Sequence, residues 1–320
     1  MKRWVLGMRD AFSGALFKIA KKDRRVILVT SDTGAICHDE FRSVLPGQYI
    51  NIGIAEQNMI GVAAGLALAG KLAYAYALVP FATMRCYEQI RVDLCCMGLP
   101  VTVVGVGAGY DYSTLGPTHH GTEDIALMRV LPGMTIFSPS DSIMVEAIAR
   151  ISYESPGPKY IRLDRSGTPL IYRSRNKDFT RGAEVLRRGR DLCIIATGRM
   201  SYNAIKVADE LARHAIRATV VDLYRIKPLP EDFLRENISK FPLVATMEEH
   251  FIDGGIGTVI NEFLAGTSKK CFVKKFGIPD KFCRQYDGKR EYLHRLMGLD
   301  IKEVSRTLLR MIKDESTFYI

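Results

Sequence analysis

The sequence has no pair of cysteines spaced as CxxC, although it contains seven cysteines in 320 residues. This absence argues against a paired-cysteine zinc site and against a thioredoxin-like redox motif. The chain also lacks an apolar run that could cross a bilayer, because the longest, Met59 to Gly70, is short and predicts a buried helix. Its first residues, MKRWVLGMRDAFSGALFKIAKK, have helically spaced apolar positions rather than the apolar block of a signal peptide. We therefore predict a cytoplasmic protein with reduced thiols and no membrane contact.

The net charge of +10 comes from lysines and arginines scattered along the chain, with local concentrations at residues 21–25 and 187–190. Neither concentration alternates with aromatic residues as RNA-binding segments do. A solvated basic surface, an acidic partner subunit or an anionic cofactor accounts for the excess equally well. The charge therefore does not predict a nucleic-acid partner.

Short β-rich runs alternate with helical stretches along the first half of the chain. The runs are VILVTSD (26–32), YINIGI (49–54), AYAYALVPF (73–81), VTVVGVGA (101–108), MTIFSPSD (134–141) and YIRLDR (160–165). Several are apolar almost throughout, which is typical of parallel strands covered on both faces. The pattern predicts an α/β fold with a mostly parallel sheet flanked by helices.

A polar, basic stretch from Thr168 to Arg181 interrupts this alternation and is typical of a linker. The alternation then restarts with DLCIIATG (191–198), ATVVDLYRI (218–226), LVATMEEH (243–250) and CFVKKFGIP (271–279). We therefore predict two α/β domains, residues 1–172 and 185–320, joined by a linker at 173–184.

The predicted strands place several chemically useful residues at one edge. Ligands of open parallel sheets bind at the carboxyl ends of the strands and at helix N-termini. This rule brings Asp32, Glu56, Phe81 and the loop 107–121 to the same edge. That edge is the candidate functional site.

Glu56 lies in NIGIAEQNM, at the start of a helix whose following residues are small or apolar. A carboxylate there loses solvent and needs a partner. The alternative is an acid that only complements the helix macrodipole. Gly61 and Gly65 would let another backbone approach this helix, either at a subunit interface or in a tight core.

Two further segments belong to the candidate edge. FATMRCYEQIR (81–91) puts an aromatic beside a strand end, where a planar ring could stack, although such an aromatic is usually core. LGPTHHG (115–121) is a loop with two adjacent imidazoles, which can stabilise an oxyanion and move protons near neutral pH. No third ligand stands at a helpful spacing, so we predict no metal site. The glycines of VGVGAG also do not form the GxGxxG fingerprint of dinucleotide binding.

Taken together, these segments resemble one family. IAEQNMIGVAAGLALAG, FATMRCYEQIR, GPTHHGTEDIALMRVLPGM, YIRLDR and MEEHFIDGGIG, in this order and at these intervals, are similar to the C-terminal half of transketolases. The resemblance covers essentially the whole chain. It implies a pyrimidine-binding domain, then a transketolase C-terminal domain, and thiamine diphosphate as the cofactor.

The resemblance also implies a cofactor pocket. Glu56 matches the acid that hydrogen-bonds N1′ of the cofactor's aminopyrimidine. Phe81 matches the aromatic that stacks on that ring, and Arg85 and Tyr87 match positions near the pocket. The expected reaction is transfer of a two-carbon ketol unit from a ketose to an aldose.

For the substrate, the resemblance implies a second group of residues. His119 matches the position that faces the substrate, and His120 is expected to join it in stabilising alkoxides and moving protons. Arg9 and Arg165 match arginines that hold a substrate phosphate, with a surface ion pair as the alternative for each.

Transketolases carry, before this region, a GDG motif and a downstream asparagine that bind the diphosphate through Mg²⁺. No GDG occurs in this chain. The resemblance therefore implies a separate N-terminal subunit that brings the GDG motif and the Mg²⁺ ligands. It also implies an α2β2 assembly, with contacts between copies of this chain and active sites between subunits.

The substrate channel departs from the family pattern. Leu115 stands where transketolases have an acidic residue, and Gly107 stands where they have a histidine. The serine that the family often supplies from the first strand's loop has no clear match, and His38 is the candidate substitute. Because these positions recognise hydroxyls and phosphate, a sugar other than the ordinary pentose phosphates is an open alternative.

Three other functions resemble this one. The β subunit of a 2-oxo acid dehydrogenase-type enzyme shares the two-domain plan, but that family has an HSQ-like loop in place of GPTHHG. Deoxyxylulose phosphate synthase shares the GxTHxG pattern, but it is a single long chain. A non-catalytic regulatory homologue would keep only the fold, which the joint presence of Glu56, Phe81 and His119 makes the weaker alternative.

Overall fold

The computed structural model describes residues 6–267, 271–286 and 288–314. Within these ranges the chain forms two α/β domains, each built on a mostly parallel sheet flanked by helices. The predicted fold class is confirmed.

The strands of the described residues alternate with helices through both domains. The strands are β1 (Val26–Thr30), β2 (Tyr49–Asn51), β3 (Leu72–Leu78), β4 (Thr102–Val106), β5 (Thr135–Phe137), β6 (Lys159–Leu163), β7 (Ala183–Arg187), β8 (Leu192–Ala196), β9 (Ala218–Leu223), β10 (Arg225–Lys227), β11 (Leu243–Phe251) and β12 (Phe272–Ile278).

The α-helices are short to medium in length, and none in the described ranges is long and apolar enough to span a membrane. They are α1 (Met8–Ala20), α2 (Asp39–Val44), α3 (Glu56–Leu68), α4 (Val79–Thr83), α5 (Tyr87–Gln89), α6 (Asp124–Arg129), α7 (Ser142–Glu154), α8 (Met200–Ala212), α9 (Glu231–Asn237), α10 (Ile256–Ala265), α11 (Arg290–Leu296) and α12 (Ile301–Lys313). A π-helical turn, Ile90–Cys96, continues α5.

The first sheet has the order β10-β5-β6-β4-β3-β1-β2, and only the edge strand β10 is antiparallel to its neighbour. The second sheet has the order β12-β11-β8-β9-β7, with β7 antiparallel to β9. Since β4, β3, β1 and β2 are parallel neighbours, the loops after them open at one edge. This edge carries the predicted functional residues.

The first sheet is covered on both faces, as its apolar strands predict. Val26 and Leu28 pack with α1 and α7, whereas Ile27 and Val29 pack with α3 on the other face. Local sequence supports these helices: the Asp141 carboxylate accepts the Met144 N–H at 2.9 Å and so caps the start of α7.

Three details differ from the sequence prediction. The run 218–226 is not one strand, because it divides into β9 of the second sheet and β10 of the first. Strand β7 was not predicted and begins at Ala183, inside the predicted linker. Strand β3 ends at Leu78, so Phe81 lies in α4. The division of the chain at residues 173–184 stays a prediction.

A buried ionic cluster joins the two domains. The Arg290 guanidinium, at the start of α11, donates to Asp164 at 2.7 and 3.1 Å and to Glu249 of β11 at 2.9 Å. His294 also contacts Glu249. Burial raises the pKa of Glu249, but the Arg290 and His294 charges outweigh it and hold this pKa well below its usual range. The cluster therefore keeps the Glu249 carboxylate ionised in the interior.

Arg290→Met should destabilise the protein strongly, because it leaves Asp164 and Glu249 buried without their cation. The expected loss in the free energy of unfolding is about 3–5 kcal/mol, measured by urea denaturation followed by circular dichroism. Arg295→Met, on the exposed side of the same helix, is the matched control. Equal losses in the two variants would show that the cluster does not stabilise the fold.

Candidate active site

Glu56 begins α3 at the carboxyl edge of the first sheet. The preceding loop is shaped by Asn51, whose side-chain oxygen accepts the N–H groups of Asp32 and Gly53, both at 3.0 Å. Gly53 has a φ of +77°, which a glycine adopts without strain. Only 2% of Glu56 is exposed. The carboxylate is thus buried at the positive end of a helix.

Arg85 is the partner of this carboxylate. Its Nη1 donates to Glu56 Oε2 at 2.6 Å, and its guanidinium lies over the Phe81 ring, 4.2 Å from the centroid. The Arg85 side chain is 42% exposed, so the pair opens toward the surface. A planar cation therefore stacks on the aromatic and hydrogen-bonds to the acid at the same time.

The contacts of Arg85 show whether Glu56 and Phe81 fit the aminopyrimidine of thiamine diphosphate, the cofactor that the resemblance implies. An aminopyrimidine is also planar, and it also has nitrogen atoms at its edge that form hydrogen bonds. The Arg85 guanidinium makes both kinds of contact, with Phe81 and with Glu56. The two residues fit such a ring once Arg85 moves aside. No group of three or more metal-ligating side chains is found in the described ranges.

His119 lies next to Phe81, with ring centroids 5.4 Å apart in an edge-to-face arrangement. The Thr118 hydroxyl is 2.9 Å from His119 Nδ1 and so orients the ring. Burial lowers the pKa of His119 below its ordinary value. The imidazole is therefore neutral at pH 7 and can both donate and accept a hydrogen bond.

His120 points into the interior instead. It is buried edge-on against Tyr110, with ring centroids 4.8 Å apart. Its Nε2 is buried without a hydrogen-bond partner among the described residues. Burial lowers the pKa of this imidazole too. Of the two histidines, His119 thus lies against Phe81, whereas His120 is buried against Tyr110.

Tyr87 and Arg85 follow one another closely in sequence, but their side chains go to different places. The Tyr87 hydroxyl donates to the Leu127 carbonyl at 3.0 Å, which ties α5 to the helix α6. Arg85 contacts Glu56 and Phe81. In this structure Tyr87 therefore supports the helical segment beneath the site.

His38 is also buried, with 2% exposed, and its ring lies edge-on to Tyr76 at 4.4 Å. Burial, with the nearby charges of Arg42 and Arg9, lowers its pKa to about 4. The substrate-binding role of His38 stays a prediction. In this structure the imidazole is a neutral group packed beneath the surface.

The two predicted anion-binding arginines belong to neighbouring segments, because the Met8 N–H at the start of α1 donates to the Ser166 carbonyl at 3.4 Å. Arg9 is paired with Asp10, its Nε donating at 2.9 Å. Arg165 is exposed, and its guanidinium lies 4.9 Å from the centroid of the Tyr112 ring. Burial raises the pKa of Tyr112, whereas the charges of Arg165 and Arg9 both oppose this rise. Arg165 thus stacks on Tyr112, and Arg9 acts on the same phenol only through its charge.

Sequence reasoning missed Tyr112. A side chain at Gly107 would overlap the Tyr112 ring, and one at Gly109 would overlap Glu249. Both glycines also have positive φ, of +95° and +57°. The glycine-rich run VGVGAG was therefore the available signal, because it leaves room for side chains that arrive from elsewhere.

Two family models match the chain. One describes the transketolase pyrimidine binding domain and matches residues 5–169, and the other describes the transketolase C-terminal domain and matches residues 182–304. Together they cover both α/β domains.

Individual proteins are similar over nearly their whole length. A subunit of the apulose-4-phosphate transketolase of Phocaeicola vulgatus is 33% identical, over 97% of this chain and 98% of its own. The 6-deoxy-6-sulfo-D-fructose transketolase subunit of Clostridium sp. (strain MSTE9) is 36% identical, over 93% of this chain and 92% of its own. A solved structure described as a split gene transketolase, inactive beta4 tetramer, superposes with a TM-score of 0.86 at 33% identity, covering 97% of this chain and 99% of that one.

The buried imidazole of His38 should make stability depend on pH. A histidine in an unfolded chain has a pKa of about 6.5, so the unfolded state binds the proton more tightly than the folded state does. Stability is therefore retained above pH 6.5 and lost as the pH falls toward 4. From pH 7 to pH 5 this group should cost about 2 kcal/mol of unfolding free energy.

His38→Phe keeps an aromatic against Tyr76 and removes the titrating group. Urea denaturation at pH 7 and pH 5 should show a smaller loss for this variant than for the wild type. The exposed His214→Phe should retain the wild-type loss. An unchanged pH dependence in His38→Phe would contradict the assignment.

Proposed function

This chain belongs to the transketolase family and is a subunit of a split transferase, and we propose that its site serves transfer of a two-carbon ketol unit from a non-standard ketose to an aldose. The observation that carries the proposal is the cluster of Glu56, Arg85, Phe81 and His119 at one sheet edge. A buried acid beside a stacking ring suits an aminopyrimidine. A neutral imidazole beside that ring suits substrate oxygens.

Family membership implies dependence on thiamine diphosphate, which supplies when bound the electron sink for carbon–carbon bond cleavage. Glu56 would hold the aminopyrimidine through one carboxylate oxygen and share a proton with its ring nitrogen. Phe81 would stack on the ring, and Arg85 would have to leave its present place between them. Tyr87 would act from farther away, through its bond to the Leu127 carbonyl.

His119 would bind the reacting part of the substrate. Its ring is half-buried and oriented by Thr118, so it can donate to a developing alkoxide and return a proton to it. His120 would support this role from its buried position beside Tyr110. Arg9, Arg165 and His38 would belong to the substrate side, the two arginines as the anion site.

The edge around Glu56 exposes an apolar side chain and two helix glycines, which are features suited to contact with another subunit. Ile54, just before it, is 77% exposed. Gly61 and Gly65 are exposed on α3, and none of the described residues lies within 4 Å of where their Cβ atoms would be. No described part of the chain makes the close approach that these glycines permit, and we infer that a subunit interface makes it.

We place an N-terminal transketolase subunit, with the GDG motif and the Mg²⁺ ligands, against this edge. Two copies of each chain would form an α2β2 assembly in the cytoplasm, with contacts between copies of this chain. The tetrameric assembly in the description of the split-gene relative supports self-association of such chains. The relatives are transketolase subunits, so a 2-oxo acid dehydrogenase-type β subunit is not favoured.

The names of the relatives also support a sugar with a charged end. One is a transketolase subunit for apulose-4-phosphate, and another is a transketolase subunit for 6-deoxy-6-sulfo-D-fructose. Both sugars carry an oxyanion, as a phosphate or a sulfonate. The Arg165 guanidinium over the Tyr112 ring, with the charge of Arg9 acting on the same phenol, suits such a group.

Glu56→Gln should abolish most of the ketol transfer, because the amide cannot share the proton that the carboxylate shares. The expected fall in kcat is on the order of 10²–10⁴-fold, measured with the partner subunit, thiamine diphosphate and Mg²⁺. Glu236→Gln, an exposed acid in the second domain, should behave as wild type. Near-normal transfer by Glu56→Gln would refute the role, and would leave a non-catalytic homologue as the better account.

A further inference from the structure

The aromatic ring of Tyr112 fills the space above the end of strand β4. Gly107 directly follows this strand, and any side chain on Gly107 would overlap the Tyr112 ring. Because Gly107 has a φ of +95°, the backbone there also disfavours other residues. The space that a side chain at position 107 would occupy is therefore filled by the phenol ring of Tyr112, five residues later in the sequence.

Tyr112 lies between His119, which faces the reacting part of the substrate in the proposed function, and the cationic side chain of Arg165. Its ring centroid is 6.3 Å from that of His119, and the Arg165 guanidinium lies over its face at 4.9 Å. His119 in turn lies 5.4 Å from Phe81. A row of neighbouring side chains thus runs from Phe81 through His119 and Tyr112 to Arg165.

The outer end of this row is positively charged and open. Arg165 is exposed, and no salt bridge to its side chain is found in the described ranges. Arg9 acts on Tyr112 from the first helix, although Asp10 partly neutralises it. Burial raises the pKa of the phenol, so its O–H remains a hydrogen-bond donor at neutral pH. A donor beside a free guanidinium is suited to an oxyanion.

We propose that Tyr112 is a specificity-determining residue that donates its hydroxyl to the terminal oxyanion of the sugar, beside Arg165. The ring also sets the distance between this oxyanion and the carbon that His119 serves. The proposal rests on the proposed function and adds to it the residue that selects a sugar with a charged end. Phosphate and sulfonate share the required chemistry.

The test uses the complete complex with its partner subunit, thiamine diphosphate and Mg²⁺, in the Glu56→Gln background so that sugars are not consumed. The probes are D-fructose 6-phosphate, 6-deoxy-6-sulfo-D-fructose and uncharged D-fructose. Calorimetry gives the Kd of each. The measured quantity is the preference for each charged sugar over D-fructose, before and after Tyr112→Phe.

Tyr112→Phe keeps the ring and removes only the hydroxyl, so it should fold normally. The preference for the charged sugars should fall about tenfold, the usual effect of losing a hydrogen bond to a charged group. Tyr202→Phe, on helix α8, should keep the wild-type preference. A fall for one charged sugar alone identifies its anion as the group that Tyr112 recognises.

Three results would overturn the proposal: unchanged affinities for all three sugars in Tyr112→Phe, an equal loss of affinity for all three sugars, or no preference before the substitution. The first denies the hydrogen bond, and the second places Tyr112 at the reacting end. Absence of ketol transfer by the wild-type complex, with the binding preference and its loss as expected, would instead overturn the proposed function and leave this inference standing.

Discussion

The buried guanidinium of Arg290 links the two domains beside the loop that carries His119. It binds Asp164 at the end of the first sheet and Glu249 on the second, and it donates to the Ala108 carbonyl at 3.2 Å. Gly109 has no room for a side chain because Glu249 lies against it. The loop that carries His119 is therefore held from both domains. A charge buried this deeply needs all its partners, which fixes the domains relative to each other.

The described residues of this chain form only one side of the candidate active site. Glu56 and Phe81 share Arg85, a planar group that stacks and hydrogen-bonds as an aminopyrimidine would. Gly61 and Gly65 leave the adjoining helix face exposed in the described part of the chain. Binding of cofactor and binding of a partner subunit are thus expected to be linked, because the proposed partner would bring the diphosphate site and would cover the same edge.

Local pattern predicted much of this arrangement. Alternating apolar runs predict parallel strands, parallel strands bring their carboxyl ends together, and Glu56, Phe81 and His119 follow such ends. Three features depended on long-range chain paths, although for Tyr112 the glycine-rich run VGVGAG indicated the free space. ATVVDLYRI reads as one strand, yet its end joins the first sheet. Arg290 meets its partners across gaps of 41 and 126 residues. Tyr112 fills its space only because the loop folds back over Gly107.

The central claim is that this chain presents Glu56 but cannot hold the cofactor alone. Calorimetric titration of thiamine diphosphate and Mg²⁺ tests it directly, first into the isolated chain and then into its complex with the GDG-containing subunit. The account predicts no Mg²⁺-dependent binding by the isolated chain and binding by the complex, weakened by Glu56→Gln. Tight Mg²⁺-dependent binding by the isolated chain would contradict it.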